Sequence, residues 1–331
     1  MTRSLVVLMQ QKGRAHLLRK DLQFGAINEE PQNNESLQLG SQTMVMNNIA
    51  VVGGGTMGTG IAYVAAQAGC HVTVVEPNER TAESMQGALS EAAENGIARG
   101  RLDKEGARSL LERINQVCDV EDIALGMDLA IETVPERADI KLNVLRKITQ
   151  REPSIIASNT SALSIDELSK AVTYPDRFLG LHFFNPVWSI KLVEIVVGAQ
   201  TSDETLTRAK AFSEQIGRQS LVVKNIPGFA TSRLDLIASL EAMRMLEGGV
   251  ASAEDIDRAA VVAYGHPIGP LRLSDIVGLD VRLDIARVLE RAHGERYTPP
   301  NLLIDMVERG VLGRKTGRGF FEWSDSAQSQ P

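Results

Sequence analysis

Ile49-Ala50-Val51-Val52-Gly53-Gly54-Gly55-Thr56-Met57-Gly58 is the stretch that decides how this chain folds. Four apolar residues read as a short buried strand, and the glycines after them fit G-x-G-x-x-G at Gly53, Gly55 and Gly58. Glycines punctuate many loops, so the spacing alone is weak, and a ligand-free turn is the competing reading. Here the context is complete: a helical pattern from Met57 to Ala68, a second strand at His71–Val75, and Glu76 at its end. In such a unit Gly53 permits the tight turn, Gly55 lets backbone approach a pyrophosphate, and Gly58 lets helix and strand pack closely. The amides that open the helix, around Thr56 and Met57, together with its dipole, favour a diphosphate. Glu76 is expected to accept hydrogen bonds from ribose hydroxyls and to repel a 2′-phosphate, and Pro77-Asn78 offers no basic replacement. NAD, rather than NADP, is the expected cofactor.

Working outward, strand patterns recur at Asp128–Ile131, Ser154–Ala157, Phe178–Leu181, Leu192–Val197 and Ser220–Val223. Between them lie helical patterns at Glu79–Ala98, Lys104–Arg113 and Asp139–Gln150. Alternation of this kind predicts an α/β fold with a parallel sheet covered on both faces. After Pro227-Gly228 the pattern changes to amphipathic helices over Ala230–Glu247, Ser252–Tyr264, Pro270–Arg291 and Pro299–Glu308, with nothing strand-like before Phe320-Phe321. The expected organisation is a Rossmann-type dinucleotide-binding domain over 48–226 and an all-helical domain over 227–325. Residues 1–47 lack periodicity and are rich in Gln and Asn, with Met44 and Met46 just before the first strand. They read as a dispensable disordered extension; an upstream start site and an organellar presequence are the alternatives.

The 331 residues suffice for two domains with proper cores. With 35 basic and 42 acidic residues the net charge is −7, which argues against a nucleic-acid surface. Cys70 and Cys118 have no metal-ligand spacing and are expected to be reduced and buried, with no metal in the protein. No apolar stretch approaches the roughly 20 residues that span a bilayer, so no membrane partner and a cytoplasmic location are expected.

Chemistry enters with Leu181-His182-Phe183-Phe184-Asn185-Pro186 and Leu192-Val193-Glu194-Ile195-Val196. Each half reads as a strand, and the turn at Asn185-Pro186 would bring the two side by side. A buried carboxylate beside an imidazole fixes its tautomer and raises its basicity, as a general base near neutral pH requires. A satisfied core contact is the bland alternative for this pair.

With the glycine loop, Ser158-Asn159-Thr160-Ser161, His182-Phe-Phe-Asn185-Pro186 and Glu194 in this order, the chain resembles the L-3-hydroxyacyl-CoA dehydrogenases, and within them the bacterial 3-hydroxybutyryl-CoA dehydrogenases. The resemblance runs from Asn48 to Trp323, through Ile226-Pro227-Gly228-Phe229, His266-Pro267-Ile268-Gly269-Pro270 and Lys315-Thr316-Gly317-Arg318-Gly319-Phe320. It implies reversible NAD-dependent oxidation of a (S)-3-hydroxyacyl-CoA, with His182 as base, Glu194 as its orienting partner, and Ser161 at the reacting carbon. Ser161 also reads as a helix cap before Leu163-Ser164-Ile165. The resemblance further implies cofactor contacts for Glu136, Lys141, Asn185 and Lys315, a CoA phosphate contact for Arg99, and a homodimer through the helical domain. It departs from the family at Ser232, where an asparagine often stands near the histidine and the thioester.

A four-carbon acyl group is the expected substrate. 3-Hydroxyadipyl-CoA, with Arg233 or Arg272 meeting its far carboxylate, is an alternative within the family. A related NAD-dependent dehydrogenase of free hydroxy acids and a non-enzymatic NAD-binding protein are the alternatives outside it; intact Ser161, His182 and Glu194 speak against the last.

Overall fold

The structure is a computed structural model and describes residues 45–323. The extension expected over residues 1–47 lies, up to residue 44, outside the described residues. Eight strands form one sheet: β1 Asn48–Val52, β2 His71–Val75, β3 Ile114–Val117, β4 Leu129–Glu132, β5 Ile156–Ser158, β6 Phe178–Phe183, β7 Leu192–Val197 and β8 Gln219–Lys224. Their spatial order is β3-β2-β1-β4-β5-β6-β7-β8. Every neighbouring pair is parallel except β6 and β7. Strand order reverses between β1 and β4, and the crevice outside the carboxyl ends of the strands at such a point is where doubly wound sheets bind ligands.

Alternation along the strands feeds two cores. Ile49, Val51, Val72, Val74, Ile131 and Leu181 pack under helices α1 (Thr56–Gln67), α2 (Glu79–Ala98) and α3 (Lys104–Glu112), together with Phe212 and Ile216 of the α6 region (α6, Asp203–Gln215). Ala50, Val52, Val75, Ala130 and Val196 face the other way, against α4 (Ala138–Thr149) and α5 (Ile165–Ser169). Successive side chains of a strand point to opposite faces, so a strand covered on both sides reads as a continuous apolar run.

Five helices follow: α7 Thr231–Glu247, α8 Ala253–Arg258, α9 Pro270–Val277, α10 Leu279–His293 and α11 Asn301–Glu308. They enclose a third core that includes Leu236, Leu240, Met243, Leu283 and Leu303. The fold is therefore a Rossmann-type α/β unit followed by helices. The turn into α7 is sharp: Gly228 (φ +78°) and Phe229 (φ +47°) are both left-handed, and Phe229 is buried against the α4/α5 face of the sheet. A bulky residue with positive φ costs on the order of 1–3 kcal/mol, which its burial offsets.

Several expectations need correction. β3 and α6 have no counterpart in the elements read from the sequence, and α5 is anticipated only as a helix after Ser161. β3 is a sheet edge carrying Asn115 and Gln116, so its apolar signal is diluted. α6 announces itself only through Ser202, which caps Thr205, and through Asp203 and Glu204 in its first turn. The single helix expected over Pro270–Arg291 is broken at Gly278 (φ +104°) into α9 and α10. The helix expected over Ser252–Tyr264 ends as α8 at Arg258 and continues as a π turn over Ala259–Ala263. Phe320-Phe321 belongs to no strand; only isolated bridges link Arg318 to Gly313 and Glu322. Cys70 is buried, but Cys118, at the end of an edge strand, is exposed.

Candidate active site

A cleft of about 830 Å³ opens at the carboxyl ends of β1, β2, β4 and β5. Its floor is the glycine loop. A Cβ on Gly58 would stand 1.8 Å from the Gly53 carbonyl oxygen, and one on Gly53 would stand 2.9 Å from Thr133 Oγ1. Close packing of strand, loop and helix therefore excludes any side chain there. Gly55 is different: no atom lies within 4 Å of a Cβ built on it. The space beside it is open, as a backbone approached by a ligand requires. Gly55 is also the N-cap of α1, where no side-chain cap and no first-turn acid meets the free amides. Thr56 and Met57 line the cleft beside it. An uncapped helix start facing an open cradle fits the diphosphate of a dinucleotide.

Glu76, at the end of β2, fixes the second feature of the cleft. Its Oε2 accepts from Gly54 N (2.9 Å) and its Oε1 from Asn78 N (2.9 Å), so the buried carboxylate is held in place with lone pairs to spare. Lys147 lines the same cleft and has no place in the sequence reading. Its ammonium is held by Glu121 (3.2 Å) and Asp119 (3.4 Å), so its charge is already compensated. It lies 71 positions from Glu76 in the sequence, and no local pattern connects the two.

β4 and β5 supply the other wall. Glu136 and Ser161 both line the cleft. Glu136 Oε1 accepts from Thr160 Oγ1 (2.5 Å), Ser161 N (2.9 Å) and Ala162 N (3.0 Å), which fastens the turn that carries Ser161. Ser161 is not a helix cap: α5 is capped by Ser164, which accepts from Glu167 N. Asn159 lines the cleft too and accepts from Phe183 N (2.9 Å), tying this wall to the residue after His182.

His182 and Glu194 stand directly opposite each other in the antiparallel β6–β7 pair. Opposed residues on one face of such a pair are within side-chain contact, and here His182 Nδ1 lies 2.7 Å from Glu194 Oε2. An ionised carboxylate only accepts, so this contact assigns the proton to Nδ1 and leaves Nε2 as the free nitrogen. The imidazole is buried beside Phe184 (ring centroids 4.4 Å) and Phe229 (5.9 Å). Glu194 is fully buried and caps α7 as well: Ala230 N (3.0 Å) and Thr231 N (2.9 Å) donate to Oε1, and Thr231 Oγ1 (2.8 Å) to Oε2. Burial pushes its carboxyl up, but the hydrogen bonds from His182 and Thr231 outweigh burial and hold it below the ordinary glutamate value. The left-handed Gly228-Phe229 turn is what delivers the α7 start to this carboxylate.

The remaining candidates are dispersed. Ser232 is half-buried in the first turn of α7, one residue beyond Thr231. Asn185 is exposed, just past β6, and is not among the residues lining the cleft. Lys141 is fully buried, outside the cleft lining, with Nζ 2.7 Å from Glu132, 3.1 Å from the Val134 carbonyl and 3.4 Å from Glu136. Lys315 likewise does not line the cleft; it pairs with Asp280 at 2.6 Å beyond the α9–α10 break. Arg99 ends α2 and lines a separate hollow of about 180 Å³ with Arg101, Tyr63 and Trp188. Arg272 is exposed and stacks over Phe321 (4.1 Å) and Trp323 (5.4 Å) at the edge of the helical core. Arg233 stands beside Ser232, with no hydrogen-bond or ion-pair partner for its guanidinium among the described residues. No group of three or more His, Cys, Asp or Glu among the described residues is arranged to hold a metal ion.

Known proteins match this chain along almost all of the described region. The model of the 3-hydroxyacyl-CoA dehydrogenase NAD binding domain matches residues 48–226, and that of the 3-hydroxyacyl-CoA dehydrogenase C-terminal domain matches residues 228–323. The chain is 37% identical over 283 residues to the 3-hydroxybutyryl-CoA dehydrogenase of Mycobacterium tuberculosis, covering 84% of this chain and 99% of that one. It is 34% identical over 292 residues to the mitochondrial hydroxyacyl-coenzyme A dehydrogenase of Sus scrofa, covering 86% and 93%. Among solved structures, the (S)-3-hydroxybutyryl-CoA dehydrogenase of Ralstonia eutropha superposes with a TM-score of 0.81 at 37% identity, covering 85% of this chain and 100% of that one. Together with the glycine-loop cleft and the buried His182–Glu194 pair, these matches place the chain in the 3-hydroxyacyl-CoA dehydrogenase family.

Proposed function

We propose that this NAD-dependent 3-hydroxyacyl-CoA dehydrogenase acts on short acyl chains, oxidising (S)-3-hydroxybutyryl-CoA to the 3-oxoacyl-CoA and running in reverse. The observation that carries the chemistry is the 2.7 Å contact between His182 Nδ1 and Glu194 Oε2. NAD supplies the hydride acceptor when bound in the cleft. His182 Nε2 takes the proton of the 3-hydroxyl as hydride leaves C3, and the imidazolium that results faces the Glu194 carboxylate. In the reverse direction the same imidazolium returns its proton to the alkoxide oxygen. Ser161 at the cleft wall donates a hydrogen bond to the 3-oxygen, while Phe184 and Phe229 keep water from the imidazole.

Gly53, Gly55, Thr56, Met57 and Gly58 hold the diphosphate, Glu76 the adenosine ribose, and Glu136 the edge of the nicotinamide site. Arg99 meets the CoA phosphates; Arg101 adds positive charge to the same hollow, and Trp188, edge-on to Tyr63 at 6.3 Å, offers an aromatic wall. Supporting the short-chain reading are relatives named 3-hydroxybutyryl-CoA dehydrogenase at 36–37% identity over nearly their whole length. The test is a panel of 3-hydroxyacyl-CoAs from four to sixteen carbons, with 3-hydroxyadipyl-CoA and free 3-hydroxy acids beside them. The largest kcat/KM at four carbons is expected; preference for the dicarboxylic or a free acid would overturn it.

The protein also acts as a homodimer through its helices. Supporting this reading, Leu234, Val262 and Tyr264 are 70%, 76% and 79% exposed, apolar surface that the helices of a second copy would cover. Light scattering after size exclusion should give twice 36.0 kDa. No described helix is long and apolar enough to cross a membrane. We assign the protein to the cytoplasm because its expected substrates, NAD and acyl-CoA, are intracellular and its two cysteines are unpaired.

A further inference from the structure

Three charged groups behind the cleft wall form a unit that the hydride chemistry does not use directly. Lys141 on α4 and Glu132 at the end of β4 both have fully buried side chains, 2.7 Å apart. Glu132 is saturated: its Oε1 accepts from Lys141 and from Val134 N (2.7 Å), and its Oε2 from Ser158 Oγ (2.6 Å). The other side of the ammonium faces Glu136 Oε2 at 3.4 Å. That carboxylate is 39% exposed at the cleft, and its second oxygen receives the three donors of the Thr160–Ala162 turn. Thr160 Oγ1 in turn accepts from Leu163 N (2.9 Å).

The geometry points to Lys141 as a positioning residue: its ammonium, balanced by Glu132, fixes Glu136, and Glu136 sets the turn that presents Ser161 to the cleft. A lysine with no exposed surface, whose ammonium donates to Glu132 and to the Val134 carbonyl and faces Glu136 at 3.4 Å, has its charge taken up within the wall and not offered to the cleft. A buried ion pair contributes little net stability but costs much to break from one side, which suits a device that selects one geometry. Without Lys141, Glu136 swings toward water at the cleft mouth, and the amides of Ser161 and Ala162 lose their acceptor. The inference rests on Ser161 acting at the reacting carbon.

The test begins with Glu132→Gln/Lys141→Met, which removes both buried charges at once while Gln keeps an acceptor for Val134 N. The melting temperature should stay within a few degrees of the parent, and NADH affinity, from fluorescence titration, should fall by less than kcat does. The kcat should fall by about tenfold or more, and amide hydrogen exchange across residues 160–163 should quicken in the ligand-free protein. Adding Glu136→Ala should lower kcat by clearly less than the product of the separate losses, because residues that act as one unit do not add. Weaker NADH binding with kcat unchanged would assign Lys141 to the cofactor instead and overturn the inference. So would fully multiplicative losses on adding Glu136→Ala, or a charge-neutral double variant that fails to fold. Ser161→Ala separates the two levels: unchanged kcat there removes the role of Ser161 itself. A large loss in Ser161→Ala with none in the double variant removes only the role of Lys141.

Discussion

Thr231 and His182 donate to the same oxygen. Glu194 Oε2 receives the imidazole Nδ1–H at 2.7 Å and the Thr231 hydroxyl at 2.8 Å, so the helix that begins the helical region shares the carboxylate that orients the base. The base therefore depends on the docking of α7 as well as on the sheet.

Thr231→Val keeps the side-chain shape and removes one of the hydrogen bonds that hold the Glu194 carboxyl down. The sign follows from linkage. A carboxyl whose folded-state value lies below the ordinary 4.5 contributes stability that is fully present above that value and is lost as pH falls through the folded one. The variant raises the folded value toward 4.5, so its acid-induced loss of stability begins at higher pH. Melting temperatures measured from neutral pH downward should show this displacement, and Thr231→Ser should reverse it.

Glu194→Gln leaves a neutral amide facing the imidazole and removes the charge that balances an imidazolium. The expected result is a fall in kcat of at least about a hundredfold with NADH affinity nearly unchanged, read from steady-state kinetics and fluorescence titration. Retained activity would remove the orienting role.

Gly58→Ala and Gly55→Ala should fail in different ways. At Gly58 the new methyl would stand 1.8 Å from a backbone oxygen, so the loop has to move, and stability should drop by about 1–3 kcal/mol along with NADH binding. At Gly55 nothing stands within 4 Å, so the melting temperature should hold while NADH affinity falls about tenfold or more. A Gly55→Ala protein that binds NADH normally would show that this space is not the diphosphate cradle.

Ser232→Asn should keep kcat/KM within about tenfold, roughly 1.4 kcal/mol of barrier, because the residue sits in the first turn of α7 without taking part in the Glu194 bonds. Comparing acetoacetyl-CoA reduction in the two proteins checks this, and a much larger loss would mean that the acyl pocket is organised around the serine.

The strands and the loop that build the cleft were readable because β1 and β2 are covered on both faces and carry uninterrupted apolar runs, and because glycine spacing marks where backbone meets backbone; their order in the sheet was not. The same rule explains the misses. β3 is a half-polar edge, and the break at Gly278 looks like an ordinary glycine until its positive φ is seen. The His182/Glu194 pair was legible from two strands and a turn. Lys141 was not, since a lysine on a helix normally lies in water and only the approach of α4 to the end of β4 buries it.

The sequence by itself determined the dinucleotide loop, the acid at the end of β2, the strand pair carrying His182 and Glu194, and the change to helices after Gly228. These are local signals, written in spacing and apolar period. Tertiary structure alone decided which charges meet: Glu194 with the start of α7, Glu136 with the Ser161 turn, Lys147 with Asp119 and Glu121, Lys315 with Asp280. A charged side chain reveals little about itself in sequence, because its partner is chosen by burial. Once water is excluded, each charge must find an opposite charge or a donor among whatever residues the packing brings near.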